Sequence, residues 1–394
     1  MAPHTDTDTI IHSVTLVSGG RETPDSWVLL SGSRVRATGV GATWASHAAD
    51  ADVVDGTGRY LAPGFIDIHG HGGGGLSYDE GVDQALRAMD AHLAHGTTRQ
   101  VLSLVANPID VLVEQLGTIR EAMSRSSRVL GAHLEGPFFS LAHKGAHEPR
   151  FICDPTPEKV RALVDAGQGV ARQITLAPEL PGGLDAVEAF VRGGIPVAVG
   201  HTNVDYATAL EAFRRGASIL THAFNAMPPL LHRAPGPVVA ALDTPSVTIE
   251  AIADGVHVHP SVLRVLFECA PERIALVTDA MAAAGAADGD YVLGTLPVYV
   301  VDGVARLDSG QIAGSTLTLG RAVQVSVSQV GVSLAEAVQA ATLFPARAIG
   351  IDDRFGTLEP GKAADAVLLR KDLSVDRVWV DGVLAYQRVD RDAR

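Results

Sequence analysis

The chain has 394 residues, 46% of them hydrophobic and 19% charged, and a formal net charge of −14. That size and apolar share suit one large domain with a small one beside it. Lys and Arg never cluster beyond a pair, which excludes nucleic acid and anionic membrane as partners, since both need a basic surface.

The N-terminus, Met1-Ala2-Pro3-His4-Thr5-Asp6, has neither a basic segment nor an apolar one. No run reaches about 18 apolar residues, so a soluble cytoplasmic protein is expected. Residues 8–60 hold short alternating segments with turn signals, such as 27–32, and predict strands. Eight strand-like runs follow near 60–68, 97–105, 129–134, 173–178, 195–200, 217–221, 247–253 and 274–278. Ala-rich stretches with helical spacing separate most of them, for example 84–93, 204–215 and 260–269. Such alternation implies a parallel sheet, and eight units imply a closed (β/α)8 TIM-type barrel. Beyond the eighth strand come a hairpin over 291–307, turning at Asp302-Gly303, and helices over 317–329 and 333–349. Residues 366–369 and 377–383 read as strands again. Antiparallel strands from both termini are expected to form a small β-sandwich domain. The predicted organisation is α/β: a small β domain from 1–60 plus 356–394, and a barrel hydrolase domain over 61–355. Cys153 and Cys269 indicate neither a disulfide framework nor a thiolate metal site and are read as inert core residues.

The chemistry sits where the apolar runs stop. The endings are Asp67-Ile68-His69-Gly70-His71, His133-Leu134-Glu135, Gly200-His201, Thr221-His222 and Thr278-Asp279. A buried parallel strand that ends on a polar residue opens into a site at its C-terminal end. Alone, His69 and His71 are no stronger a signal than a turn of solvated histidines, although extended backbone turns both rings to one side. Glu135, His201 and His222 taken singly read as helix-start or core groups. Together, four imidazoles and a carboxylate are the donor types that a divalent cation prefers, zinc first and iron next, at one or two ions per subunit. Asp279 is the expected proton shuttle: a carboxylate beside an activated water can take its proton and pass it to a leaving amine. The four lysines are Lys144, Lys159, Lys362 and Lys371, and none falls in the fourth strand. A carboxylated lysine bridging two ions is therefore excluded there, and Glu135 is the natural anionic ligand.

Several stretches resemble the amidohydrolase superfamily and, within it, the family that deacetylates N-acetylglucosamine 6-phosphate. They are 62–71 (APGFIDIHGH), 133–137 (HLEGP), Lys144-Gly145-Ala146-His147, Gly200-His201-Thr202-Asn203, 221–227 (THAFNAM), 253–257 (ADGVH) and 277–280 (VTDA). The tail 356–365 looks like the superfamily's return to its small β domain. The resemblance implies metal binding by Glu135, His201 and His222, with His69 and His71 offering a second position, and Asp279 as proton donor and acceptor. It implies substrate contacts at Ala146, His147, Asn225, Ala226, Arg233 and His257, and at the backbone of Ile312, Ala313 and Gly314. Arg233 is the cation expected at a sugar phosphate, because its planar fork suits phosphate oxygens. His147 and His257 are alternatives for the acetyl carbonyl. In such enzymes a neighbouring subunit can complete the phosphate site, so a homodimer is expected. The epimer of the phosphosugar stays open, as does action on another amide. A non-catalytic barrel scaffold is disfavoured, since every expected ligand is present.

Overall fold

The computed structural model describes residues 8–389; residues 1–7 and 390–394, counted above in the terminal unit, lie outside the described residues. Eight parallel strands form the barrel: Phe65–Asp67, Thr97–Leu104, Val129–Glu135, Ala171–Leu176, Val197–Val199, Ile219–Leu220, Thr248–Ile252 and Ile274–Val277. Each hydrogen-bonds to its neighbour in sequence. Helices cover them outside and side chains fill them inside, so both faces are buried and the strands read as apolar runs. The first and eighth strands meet just past their ends. There Asp279 N–H donates to His69 O at 2.8 Å, and Thr278 Oγ1 donates to Asp67 Oδ2 at 2.5 Å. Asp67 is fully buried, and burial pushes its carboxyl up to about 6 even though Thr278 and the His69 amide donate to it. Among the described residues no helix is long and apolar enough to cross a membrane.

The first strand differs from the sequence expectation. The run over 60–68 divides: Tyr60–Pro63 belongs to the terminal sheet and Phe65–Asp67 to the barrel. Gly64 marks the switch, its N–H bonded to Asp365 O at 2.8 Å. A Cβ there would stand 2.2 Å from Thr98 Oγ1, so only glycine lets the strands pass this closely. The last predicted helix also divides, into Leu334–Ala340 and Leu343–Ala348. Pro345 lacks the N–H that a continuous helix would aim at Ala341 O. That carbonyl instead accepts Ile66 N–H at 2.9 Å and ties the helix to the first barrel strand. The hairpin has three strands, Gly289–Leu293, Leu296–Val301 and Val304–Arg306. Its expected turn holds, with Asp302 and Gly303 both at positive φ.

The termini build one continuous sheet. Not all of it is antiparallel: the first half of Asp8–Ser18 runs parallel to Ala51–Asp55 and its second half to Tyr60–Pro63. Ile11, Val28, Leu30, Leu61, Leu368 and Trp379 form its core. A buried ion-pair cluster joins it to the barrel. Arg99 on the second barrel strand donates to Asp365 at 2.6 and 2.8 Å and to Asp381 at 2.7 Å. Removing one partner of such a pair typically costs about 3–5 kcal/mol. The cysteines are not core: Cys269 is exposed in the last turn of Pro260–Cys269 and Cys153 is half-buried.

Candidate active site

Strand ends supply the site. Glu135 is the last residue of the third barrel strand, while His201, His222 and Asp279 stand two residues past the fifth, sixth and eighth. All three of the latter have left-handed backbone, with φ of 48°, 25° and 47°. That region is sparsely allowed for residues with a Cβ, though Asp and His tolerate it better than most. It bends the chain sharply where each strand stops, so the functional side chain turns over the barrel mouth while the backbone leaves.

Three donor atoms meet there. Glu135 Oε1 lies 3.2 Å from His201 Nε2 and 3.3 Å from His222 Nε2, and the two nitrogens are 3.1 Å apart. A tetrahedral ion with bonds of about 2.0 Å spaces its ligands roughly 3.3 Å apart, close to this triangle. A second group adjoins it. His69 Nε2 and His71 Nε2 each lie 3.1 Å from a Glu135 oxygen, and stand 3.5 and 3.3 Å from Asp279 Oδ1. His69 Nε2 is buried and lacks hydrogen-bond alignment with any partner, as do His71 Nδ1 and His222 Nδ1. Glu135 therefore stands between two sets of convergent donors.

Hydrogen bonds assign the tautomers. His201 Nδ1–H donates to His143 O at 3.0 Å, which turns the Nε2 lone pair toward Glu135. His69 Nδ1–H donates to Glu250 Oε2 at 2.9 Å, with the same effect on its Nε2. His147 is the opposite case. Its Nδ1 accepts the Ala106 N–H at 3.2 Å, so its proton sits on Nε2, 3.4 Å from Glu135 Oε2. His147 lies close enough to Glu135 and His201 to complete a third metal-sized group. A ring nitrogen that carries a proton has no lone pair for an ion, and we read His147 as a donor into the cavity.

The charges fit a cation. Burial works against protonating His69, yet Glu135 and Glu250 beside it hold its pKa well above the ordinary imidazole value. Burial likewise opposes protonation of His71, but Asp279 and Glu135 raise it to about 9. His201 falls to about 4, chiefly through burial. Burial alone would raise Glu135 and Asp279; the surrounding imidazoles instead keep both below the usual carboxylate range. Protons on His69 and His71 balance this buried negative charge, and a divalent ion would balance it in their place. The residues present fit such an ion.

Above the donors opens a cavity of about 380 Å³, within the usual range for small-molecule sites. At its edge His257 Nδ1–H donates to Asp254 Oδ2 at 2.6 Å. Burial opposes protonation of His257, but Asp254 raises its pKa, so this imidazole leans toward the cationic form.

The profile of the amidohydrolase family matches residues 60–385. The chain belongs to the amidohydrolase family. It is similar to N-acetylgalactosamine-6-phosphate deacetylase of Escherichia coli O157:H7, 38% identical over 82% of this chain and 87% of that one. N-acetylglucosamine-6-phosphate deacetylase of Vibrio furnissii is 36% identical over 83% of each chain. Among solved structures, a mutant N-acetyl-D-glucosamine-6-phosphate deacetylase from Mycobacterium smegmatis, in complex with N-acetyl-D-glucosamine-6-phosphate, superposes with a TM-score of 0.91. It shares 39% identity and covers 96% of this chain and 99% of its own.

In this amidohydrolase the cavity wall holds His71, Glu135, His201, His222 and Asp279, together with Ala146, His147, Asn225, Ala226, His257, Ile312 and Gly314. His69 lies fully buried beneath them. Ala313 turns the other way, into a small core with Met281 and Val298. Arg233 is exposed on a loop outside the wall, pinched by the mutual backbone bonds of Leu231 and Ala234. Two residues without an expected role emerge. Lys144 lines the cavity with its ammonium near Gly145 O and His147 O; it stood inside a quoted motif. Glu250, fully buried, touches both His69 and the backbone of His222. Its only signal was a lone charge in the apolar run 247–253.

Proposed function

We propose that this amidohydrolase hydrolyses the acetamido group of N-acetyl-D-glucosamine 6-phosphate, giving D-glucosamine 6-phosphate and acetate. The observation that carries the reading is the triangle of Glu135, His201 and His222 at the floor of a sugar-sized cavity that also holds Asp279. The names of the relatives supply the substrate class.

A divalent cation held by Glu135, His201 and His222, with His69 and His71 at a second position, would polarise the acetyl carbonyl and make a water nucleophilic near neutral pH. Imidazole and carboxylate donors without thiolate suit zinc, which we take as the ion. Asp279, kept ionised by its neighbours, takes the proton of the attacking water. It then delivers that proton to the amine nitrogen as the C–N bond breaks. His147 points Nε2–H into the cavity and donates to the carbonyl oxygen as negative charge grows there. His257, drawn toward its cationic form, and Lys144 receive the phosphate. Ala146, Asn225, Ala226 and the backbone around Ile312 and Gly314 hold the sugar. Arg233 lies outside its own cavity wall, which suits a guanidinium lent to a neighbouring subunit in a homodimer. A sugar phosphate does not cross a bilayer unaided, so we assign the reaction to the cytoplasm.

A second reading has one observation behind it. A relative at 38% identity is an N-acetylgalactosamine-6-phosphate deacetylase, so the epimer at C4 is the open choice. Acetate release should be measured on both phosphosugars and on unphosphorylated N-acetylglucosamine. We expect the glucosamine epimer to be faster and loss of the phosphate to cost far more than inversion at C4. A faster galactosamine epimer would establish the second reading, and no acetate from either phosphosugar would end both.

A further inference from the structure

Glu250 takes no part in the hydrolysis outlined above, yet it lies directly under the donors. It is the one charged residue of the barrel strand Thr248–Ile252, and its side chain is completely buried. Burying a carboxylate costs several kcal/mol unless its partners recover it, so those partners decide what it is for. Oε2 accepts His69 Nδ1–H at 2.9 Å and the His222 backbone N–H at 3.2 Å, while Oε1 accepts from Gln173 Nε2 at 2.7 Å. A neutral side chain of equal size would fill this space more cheaply. Gln173 and the His222 amide already donate to its two oxygens, so Glu250 meets His69 as an acceptor and places the His69 proton on Nδ1. The lone pair of Nε2 is thereby fixed on the side where Glu135 Oε1 stands at 3.1 Å and Asp279 Oδ1 at 3.5 Å. The carboxylate also makes the imidazole a better electron donor. Neither effect reaches the other histidines in this way. His201 has its Nδ1–H on a carbonyl, and His222 meets Glu250 only through its backbone.

We propose that Glu250 is a positioning residue: it commits His69 to binding a cation through Nε2 and so makes the group of His69, His71 and Asp279 a second cation position beside that of Glu135, His201 and His222. The inference rests on the metal-dependent reading of the site and deepens it. Its distinctive consequence is selectivity, because a change at Glu250 should weaken one of two ions.

Two variants separate charge from shape. In Glu250→Gln the introduced carbonyl can still accept both N–H groups. Gln173 Oε1 has no partner and can rotate to receive the new amide. Glu250→Ala removes the acceptor altogether. Zinc should be titrated into metal-free full-length protein against a chromophoric chelator, with the melting temperature of each metal-free variant recorded alongside. The parent should bind two zinc ions. Glu250→Gln should weaken the second by roughly 10-fold and Glu250→Ala by up to roughly 100-fold, each leaving the first within about 3-fold. In the zinc-loaded parent, nitrogen NMR should find the His69 proton on Nδ1, a readout that needs no variant to fold. Two ions bound at unchanged strength in Glu250→Gln, both ions weakened equally, or the proton on Nε2 would overturn the inference while leaving the hydrolytic reading intact. A parent that binds no zinc would end both.

Discussion

At the residue scale, the site is a set of imidazoles sorted by what holds the far nitrogen. His69 and His201 give their Nδ1 protons to oxygen acceptors, which leaves Nε2 as the atom an ion would take; His147 does the reverse and offers a proton. Identical side chains a few ångströms apart thus acquire opposite chemistry from one hydrogen bond each. Asp279 is distinguished by charge. Burial alone would make it a weak acid, but His71 donates to it and His69 and His71 lie close by, so it remains an anion. Asp279→Asn should lower kcat by ~10²–10⁴-fold while the ion at Glu135, His201 and His222 stays bound. Metal analysis beside single-substrate kinetics checks both halves, and a variant as active as the parent would remove Asp279 from the reaction.

At the element scale, strand ends carry function and helices hold them in place. The loop after His71 is held from below by the helix Val82–Leu93, whose His92 Nε2–H donates to Gly72 O at 2.8 Å. A Cβ on Gly73 would sit 2.7 Å from that nitrogen, so the close approach requires glycine. Burial lowers the His92 pKa from 6.5 to about 4, so the folded chain resists a proton that the unfolded chain accepts. Stability should therefore fall as pH drops from about 6.5 toward 4, by up to about 3 kcal/mol from this residue. Urea denaturation across that window should show a slope that His92→Gln flattens; equal slopes would refute the assignment. The barrel was legible in the sequence because strand-like runs alternate with helical stretches, and five of the eight runs stop at a polar residue. The split at Gly64 was not, since Tyr60–Pro63 and Phe65–Asp67 are equally apolar and only the tertiary partners Asp365 and Thr98 separate them. The break before Leu343 was hidden similarly, because Pro345 is tolerated within the first turn of a new helix.

At the scale of the whole molecule, a chain of net charge −14 places Lys144 and His257 on the wall of the same cavity. The ligand set was readable in advance because its members stand at strand ends, His69 and His71 together after the first strand and Glu135, His201 and His222 each at another. Lys144 and Glu250 were not assigned, one because a loop lysine is ordinarily solvated and the other because its partners His69 and Gln173 are distant in sequence. Arg233 was assigned to the phosphate by the resemblance alone, and its position is an exposed loop. The arrangement as a whole makes one demand, that hydrolysis depend on a cation shared by Glu135, His201 and His222. The most direct test is acetate release from N-acetylglucosamine 6-phosphate before chelation, after chelation and after zinc is restored. Activity should fall to background and return with zinc in the parent, and should not return in Glu135→Ala. Undiminished activity in protein shown to be free of metal would contradict the account.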